Sequence, residues 1–173
     1  MIVKNENRPG YKKTKIGWIP KKWEVTLLAE LGTWLKGKGG SKQDIENEGL
    51  PCVRYGDIYS KYDNFIKEIN SFISLERVLE YTPIFQGDIL FASSGETSEE
   101  IGKAVTYLDD SEAYVGGDVI ILRPQIQNAR YLAYAVNCPL ATYQKSKLGQ
   151  GNAVVHIYLR QLVKVAIPIP PLP

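Results

Sequence analysis

Hydrophobic and polar positions divide the chain into short apolar runs separated by glycine, proline and acidic turns. The clearest runs are "GDILFAS" and "DVIILRP". Their centres, Ile89–Ala92 and Val119–Leu122, are unbroken apolar segments too short for a helix, so they predict strands buried on both faces. "GKAVTYL" predicts a third strand between them, and "DDSEA" and "GG" divide the set into hairpin-like units. Upstream, Trp23, Val25 and Leu27 alternate as in a strand, and Leu28 and Leu31 predict a short turn into Gly32. "TWLKGKGGSK" predicts a strand ending in a mobile glycine loop. "LPCVRYGDIY" predicts a short strand and then a turn around Gly56 and Asp57, and "NFIKEINSFIS" predicts another strand. Ser74 is expected to cap a helix over "LERVLEY" that Pro83 ends.

The period then changes. From Asn128 a helix is predicted with Leu132, Ala133 and Val136 on one face, stopping before Pro139. "PLATYQKSKLG" predicts a second helix closed by Gly149, with Leu140, Tyr143, Gln144 and Leu148 inward and Thr142, Lys145 and Ser146 outward. "LVKVAIPIPPLP" predicts a last strand running into a proline stop. The fold class expected is α+β: a single domain with a mixed, mostly antiparallel twisted sheet and flanking helices. Residues 1–16 are polar and expected to be loosely ordered; residues 17–173 are expected to form the domain.

Composition narrows the function classes. With 44% hydrophobic and 23% charged residues, the 173-residue chain can bury a core and is not of disordered type. No apolar run is long enough to span a bilayer, and the first residues lack the apolar centre of a secretory signal. The expectation is a cytoplasmic chain without a membrane partner. Cys52 and Cys138 lack metal-ligand spacing and are expected to be reduced. A net charge of +2 means that any affinity for a polyanion must come from local clusters. Two clusters are flanked by glycine: Lys36, Lys38 and Lys42 in "LKGKGGSK", and Lys145 and Lys147 in "KSKLGQGN".

Catalytic signals are weak. His156 is the single histidine, "SSGET" is not a nucleophile elbow, and neither a zinc set nor a phosphate loop can be assembled from the spacings. The loops instead mix residue types that read nucleic acid. The candidate DNA-binding residues are Lys38, Ser41, Lys42, Arg54, Tyr55, Ser94, Glu96, Thr97, Lys145, Lys147, Gln150 and Asn152. Lys38 and Lys42 are expected on phosphate, and Arg54, Glu96, Gln150 and Asn152 on base edges. Asp57, Asp88 and Asp118 are expected to cap turns rather than touch bases, and His156 to be buried with one nitrogen satisfied. Two other readings stand beside this one: a protein-interaction domain docking a partner enzyme, and, weakest, a small serine hydrolase using Ser94 and His156.

Taken in order, the motifs resemble those of one family. They run from "GWIPKKWEVTLLAELGTWLKGK" through "GLPCVRYGDIY", "GDILFASSGET", "IGKAV" and "YVGGDVIILRP" to "KSKLGQGNAVVHIYLRQLVKVAIPIPPL". The set resembles a target recognition domain of type I restriction–modification specificity subunits, and it spans Gly17 to Leu172. In that family a proline-rich step leads into a spacer helix between two recognition domains, and here the sequence stops at Pro173. The resemblance implies non-catalytic recognition of one half of a bipartite site in double-stranded DNA. It implies modification (methyltransferase) and restriction subunits as partners, and a second recognition domain or second copy for a full site. No cofactor is then expected on this chain; S-adenosylmethionine, ATP and Mg would belong to the partner subunits.

Overall fold

The computed structural model describes residues 6–40 and 44–171. The chain begins with a hairpin of β1 (Tyr11–Thr14) and β2 (Gly17–Pro20), so part of the segment expected to be loose is a strand. Next come β3 (Glu24–Leu27), a 3₁₀ turn at Leu28–Glu30 and β4 (Gly32–Lys36), as the alternation predicted. The middle of the chain holds β5 (Ile45–Glu46), β6 (Leu50–Val53), α1 (Tyr55–Ser60), β7 (Phe65–Ile66) and β8 (Phe72–Ile73). After a 3₁₀ segment at Leu75–Glu80 come β9 (Thr82–Ile84), β10 (Ile89–Ala92), β11 (Ser94–Gly95) and β12 (Ala104–Tyr107). Then follow β13 (Ala113–Val115), β14 (Val119–Pro124), α2 (Ala129–Ala135) and α3 (Pro139–Leu148). The last elements are β15 (Val155–His156), α4 (Leu159–Leu162) and β16 (Ala166–Ile169).

Two five-stranded sheets carry the fold, in orders β4-β14-β10-β12-β7 and β5-β8-β6-β13-β9. The pairs β12–β7 and β13–β6 are parallel and the other pairs are antiparallel, giving the mixed, mostly antiparallel α+β class expected. Alternation decides which core each side chain joins. Ile89 and Phe91 of β10, with Ile120 and Leu122 of β14, pack toward the helices on Leu28, Leu132 and Leu162. Leu90 and Ala92, with Val119 and Ile121, pack on the other face against Val53, Ile58 and Val105. Both faces being covered is why β10 reads as a continuous apolar run.

Several expectations change. The predicted turn around Gly56 and Asp57 is the helix α1: Asp57 accepts a hydrogen bond from the backbone N–H of Arg54 and caps it. "NFIKEINSFIS" supplies two separate two-residue strands, β7 and β8, rather than one. "LERVLEY" is 3₁₀ rather than α, the Ser74 side chain makes no cap, and Pro83 lies within β9. That 3₁₀ segment has no fully buried residue to hold a longer helix against the core. "YVGG" hides β13, which the turn residues on either side masked. The final strand starts at Ala166, not Leu162, because Leu159–Leu162 is α4.

The largest correction concerns α3. Its buried residues are Ala141 and Lys145, while Tyr143, expected inward, is 61% exposed. Lys145, expected outward, is 1% exposed. Residues four apart share a helix face, and the small Ala141 lets that face approach the sheet while the Lys145 stem fills the space toward Phe91. α2 matches its prediction: the Asn128 side chain accepts from the N–H groups of Arg130 and Tyr131, and Leu132 and Ala133 are buried.

Candidate nucleic-acid interface

The pairing directions place most of the candidate loops at one end of the first sheet. β4 and β10 run one way, and β14 and β12 run the other. The connection leaving β4 (Gly37–Gly40), the turn entering β14 (Gly116–Asp118), the segment leaving β10 (Ser93–Thr97) and the turn entering β12 therefore share that end. β6 runs parallel to β13, so Arg54 and Tyr55 emerge beside Gly116, whose N–H donates to the Val53 carbonyl at 3.3 Å.

The glycine loop is locked onto its neighbour rather than free. The N–H of Gly117 donates to the Gly39 carbonyl at 2.6 Å, and Gly39 has φ of 72°. A Cβ on Gly37 would lie 2.0 Å from the Gly116 carbonyl oxygen, so only glycine permits this crossing. Lys38 is exposed at its tip. Ser41 and Lys42, also predicted on this loop, lie outside the described residues.

On one side of the crossing, Gly40, Arg54, Tyr55, Lys61 and Gly117 line a cleft of about 450 Å³. Tyr55 is 41% exposed. Beneath the cleft lies the buried carboxylate of Asp57. It accepts from Arg54 Nε at 3.4 Å, Arg54 Nη2 at 3.3 Å and Ser71 Oγ at 3.2 Å, and pairs with Lys61 Nζ at 3.0 Å. Burial alone would raise its pKa, but the hydrogen bonds from Arg54 and Lys61 outweigh burial and hold it below the ordinary carboxylate value. Two half-exposed cations are thus presented in fixed positions.

On the other side a cleft of about 480 Å³ includes Lys36, Asp118, Ile120, His156, Tyr158 and Arg160. β11 pairs with β15, setting Ser94 opposite His156 and Gly95 opposite Val155. The backbones of Gln150 and His156 exchange two hydrogen bonds of 2.8 Å. These pairings bring the two predicted loops, Glu96–Thr97 and Gln150–Asn152, into one cluster. Glu96, Thr97, Gln150 and Asn152 are all exposed there, and Lys147 is exposed on the last turn of α3 with its ammonium 5.5 Å from the Tyr143 ring centre.

Two candidates sit differently from the expectation. Ser94 is 3% exposed and shares a 2.9 Å hydrogen bond with His156 Nδ1, so its hydroxyl faces inward and positions the imidazole. A hydroxyl against an imidazole is also the start of a nucleophilic pair. Its burial denies a substrate the approach that chemistry needs. Lys145 donates from Nζ to the Gly102 carbonyl at 2.6 Å. Burial lowers its pKa to about 7, and it makes no contact with solvent that could serve a phosphate. It braces the turn before β12 against α3.

Asp57 and Asp88 have the capping roles expected, and Asp118 sits in a turn with its side chain exposed. Asp57 caps α1, Asp88 accepts from the Phe85 N–H and pairs with Arg123, and Asp118 holds a left-handed turn with φ of 59°. Lys36, named only as part of a basic cluster, and Lys61, Tyr158 and Arg160, not singled out from the sequence, line the two clefts. The spacing "HIYLR", with aromatic rings two apart on extended chain followed by arginine, was the signal available for the last two.

Comparison with known proteins places the chain in a family. Residues 20–173 match the family model described as the type I restriction modification DNA specificity domain. The putative type I restriction enzyme MjaX specificity subunit of Methanocaldococcus jannaschii is 32% identical over 189 residues, covering 99% of this chain and 40% of the relative. The HsdS subunit from Thermoanaerobacter tengcongensis has a similar fold, with a TM-score of 0.61 and 18% identity over 94% of this chain and 36% of that one. The type I restriction–modification S subunit from M. genitalium gives 0.58 and 15% over 85% and 34%. The chain therefore spans about two-fifths or less of each of these proteins. With a family model covering nearly its whole length, the chain belongs to the type I restriction modification DNA specificity domain family.

Proposed function

We propose that this domain recognises one half of a bipartite site in double-stranded DNA and directs methyltransferase and restriction subunits to it. The observation that carries this reading is the convergence of four connections at one end of a stiff, doubly covered sheet with a fifth from the neighbouring sheet. Backbone pairing fixes their spacing before any ligand arrives, which keeps the entropic cost of recognition low. Lys36, Lys38, Lys42, Lys147 and Arg160 hold phosphates, with Ser41 and Tyr55 as further backbone contacts. Arg54, Glu96, Gln150 and Asn152 meet base edges, where a good bidentate contact discriminates by about 1–3 kcal/mol. Thr97 lies beside Glu96 and assists it.

The domain breaks no bond. S-adenosylmethionine, ATP and Mg act on partner subunits, and the assembly works in the cytoplasm; no helix among the described residues is long and apolar enough to cross a membrane. A second recognition domain, or a second copy, supplies the other half-site and raises avidity through effective concentration.

Gel shifts across several salt concentrations, followed by selection from randomised duplexes, test the reading. Binding that weakens steeply with salt and enriches one short sequence is expected. Glu96→Ala or Gln150→Ala relaxes preference at one base position. Binding indifferent to both salt and sequence contradicts the proposal and favours docking of a protein partner.

A further inference from the structure

His156 and Tyr158 lie two apart on extended backbone, so their rings leave the chain on the same side. Their ring planes are 26° apart and their centroids are separated by 6.3 Å. Strand geometry puts such neighbours about 6.7 Å apart, twice the ~3.4 Å spacing of stacked bases. The observed 6.3 Å is slightly under that spacing, so the two side chains part by about 0.5 Å to admit one planar ring.

Both walls are set in advance. Ser94 Oγ holds His156 Nδ1 at 2.9 Å, and the backbone of His156 is clamped by Gln150 on its other edge. The Tyr158 N–H donates to Gln161 Oε1 at 2.8 Å, fixing the start of α4. The floor is apolar, with Ile120 2% exposed. The rim is cationic. Lys36 projects from the end of β4, and the Arg160 guanidinium lies 5.1 Å from the Tyr158 ring centre. Neither forms an ion pair among the described residues, so both charges are available to phosphate. Asp118, exposed on the same rim, offers a carboxylate to an amino group.

We infer that this slot takes one nucleobase that has left the stack of the bound duplex. The ring lies between His156 and Tyr158, and the flanking phosphates rest on Lys36 and Arg160. The inference rests on the DNA reading above and goes beyond base-edge contact. A base faced on both sides by protein rings cannot stay stacked on its neighbours, so it must be extruded. Stacking captures any base, whereas the Asp118 carboxylate favours one carrying an exocyclic amino group over thymine.

The test compares a fully paired duplex with the same duplex carrying one unpaired nucleotide, whose unstacking is already achieved. The bulged duplex is expected to bind about tenfold more tightly, as one added base–aromatic stack provides. Tyr158→Ala should bring the ratio of the two affinities close to one, and Tyr158→Phe should retain it. Photocrosslinking of an unpaired 5-iododeoxyuridine to the unaltered chain should map to residues 156–160, a readout that does not depend on any variant folding. Good binding of the paired duplex with no advantage for the bulge, or an advantage surviving in Tyr158→Ala, overturns the slot alone. Free deoxynucleoside monophosphate competing as strongly as the bulged duplex overturns it too, making the slot a mononucleotide site. Failure of every duplex to bind removes the DNA reading on which the slot rests.

Discussion

Two buried charged side chains, Asp57 beneath the Arg54 cleft and Lys145 between α3 and the turn before β12, are held in opposite ways. Under the Arg54 cleft lies Asp57, which has two cations, a hydroxyl and a backbone N–H as partners. Lys145, which does not line the His156 cleft, ties α3 to the turn before β12 with one carbonyl as its partner. Both pKa values are lowered, and the meanings differ. For the carboxylate, hydrogen bonds prevail over burial and the charge is kept. For the amine, burial prevails and the charge is given up near neutral pH. The Arg54 cleft is thus a braced polar clamp, whereas the His156 cleft is an aromatic slot whose rim cations are unbraced.

Removing the brace is expected to have the largest effect. Asp57→Ala leaves Arg54 and Lys61 without their shared acceptor and should cost about 2–3 kcal/mol in urea unfolding, less than a fully buried pair because both cations are half-exposed. Since the folded-state pKa of Asp57 lies below its unfolded value, its contribution is present above about pH 4 and is lost as pH falls through the folded value. Asp57→Asn should therefore blunt the acid loss of stability. An unchanged acid limb would show that the clamp is not braced as described.

Lys145 should behave in reverse. Between its folded value of about 7 and the ordinary lysine value, the unfolded chain holds a proton that the folded chain does not. Stability should therefore rise with pH from 7 to 8.5, by up to about 1 kcal/mol per unit, and Lys145→Met should flatten that slope. Equal slopes in both proteins would remove the contrast between the two buried charges. The smallest effect on stability belongs to the unbraced rim. Arg160→Ala should cost less than about 1 kcal/mol of folding, yet reduce the slope of log affinity against log salt by about 0.9. A stability loss without a change in salt dependence would make Arg160 structural.

The contrast also explains what the sequence could show. β10 and β14 were legible because both faces are covered, so burial leaves an unbroken apolar run. α2 was legible because Asn128 and the apolar spacing agree. α1 was hidden because Gly56 and Asp57 read as a turn, and only the contact between Asp57 and the Arg54 N–H turns them into a helix start. Lys145 was misread because a lysine on a polar-looking helix is normally solvated, and nothing local announces the Gly102 carbonyl 43 residues away. Ser94 was misread for a related reason: its partner His156 lies 62 residues on and is brought in by the pairing of β11 and β15. The candidate loops were found by residue chemistry, but their gathering at one sheet end depends on strand order.

Hydrogen–deuterium exchange with and without duplex DNA at low salt tests that gathering most directly. Protection is expected at residues 36–40, 54–61, 93–97, 116–118 and 150–160. None is expected at the opposite end of the sheet, around Gln86, Leu108 and Asn128. Protection at that opposite end, with the 36–40 and 150–160 segments unchanged, would place the DNA on the wrong face for these loops to read it.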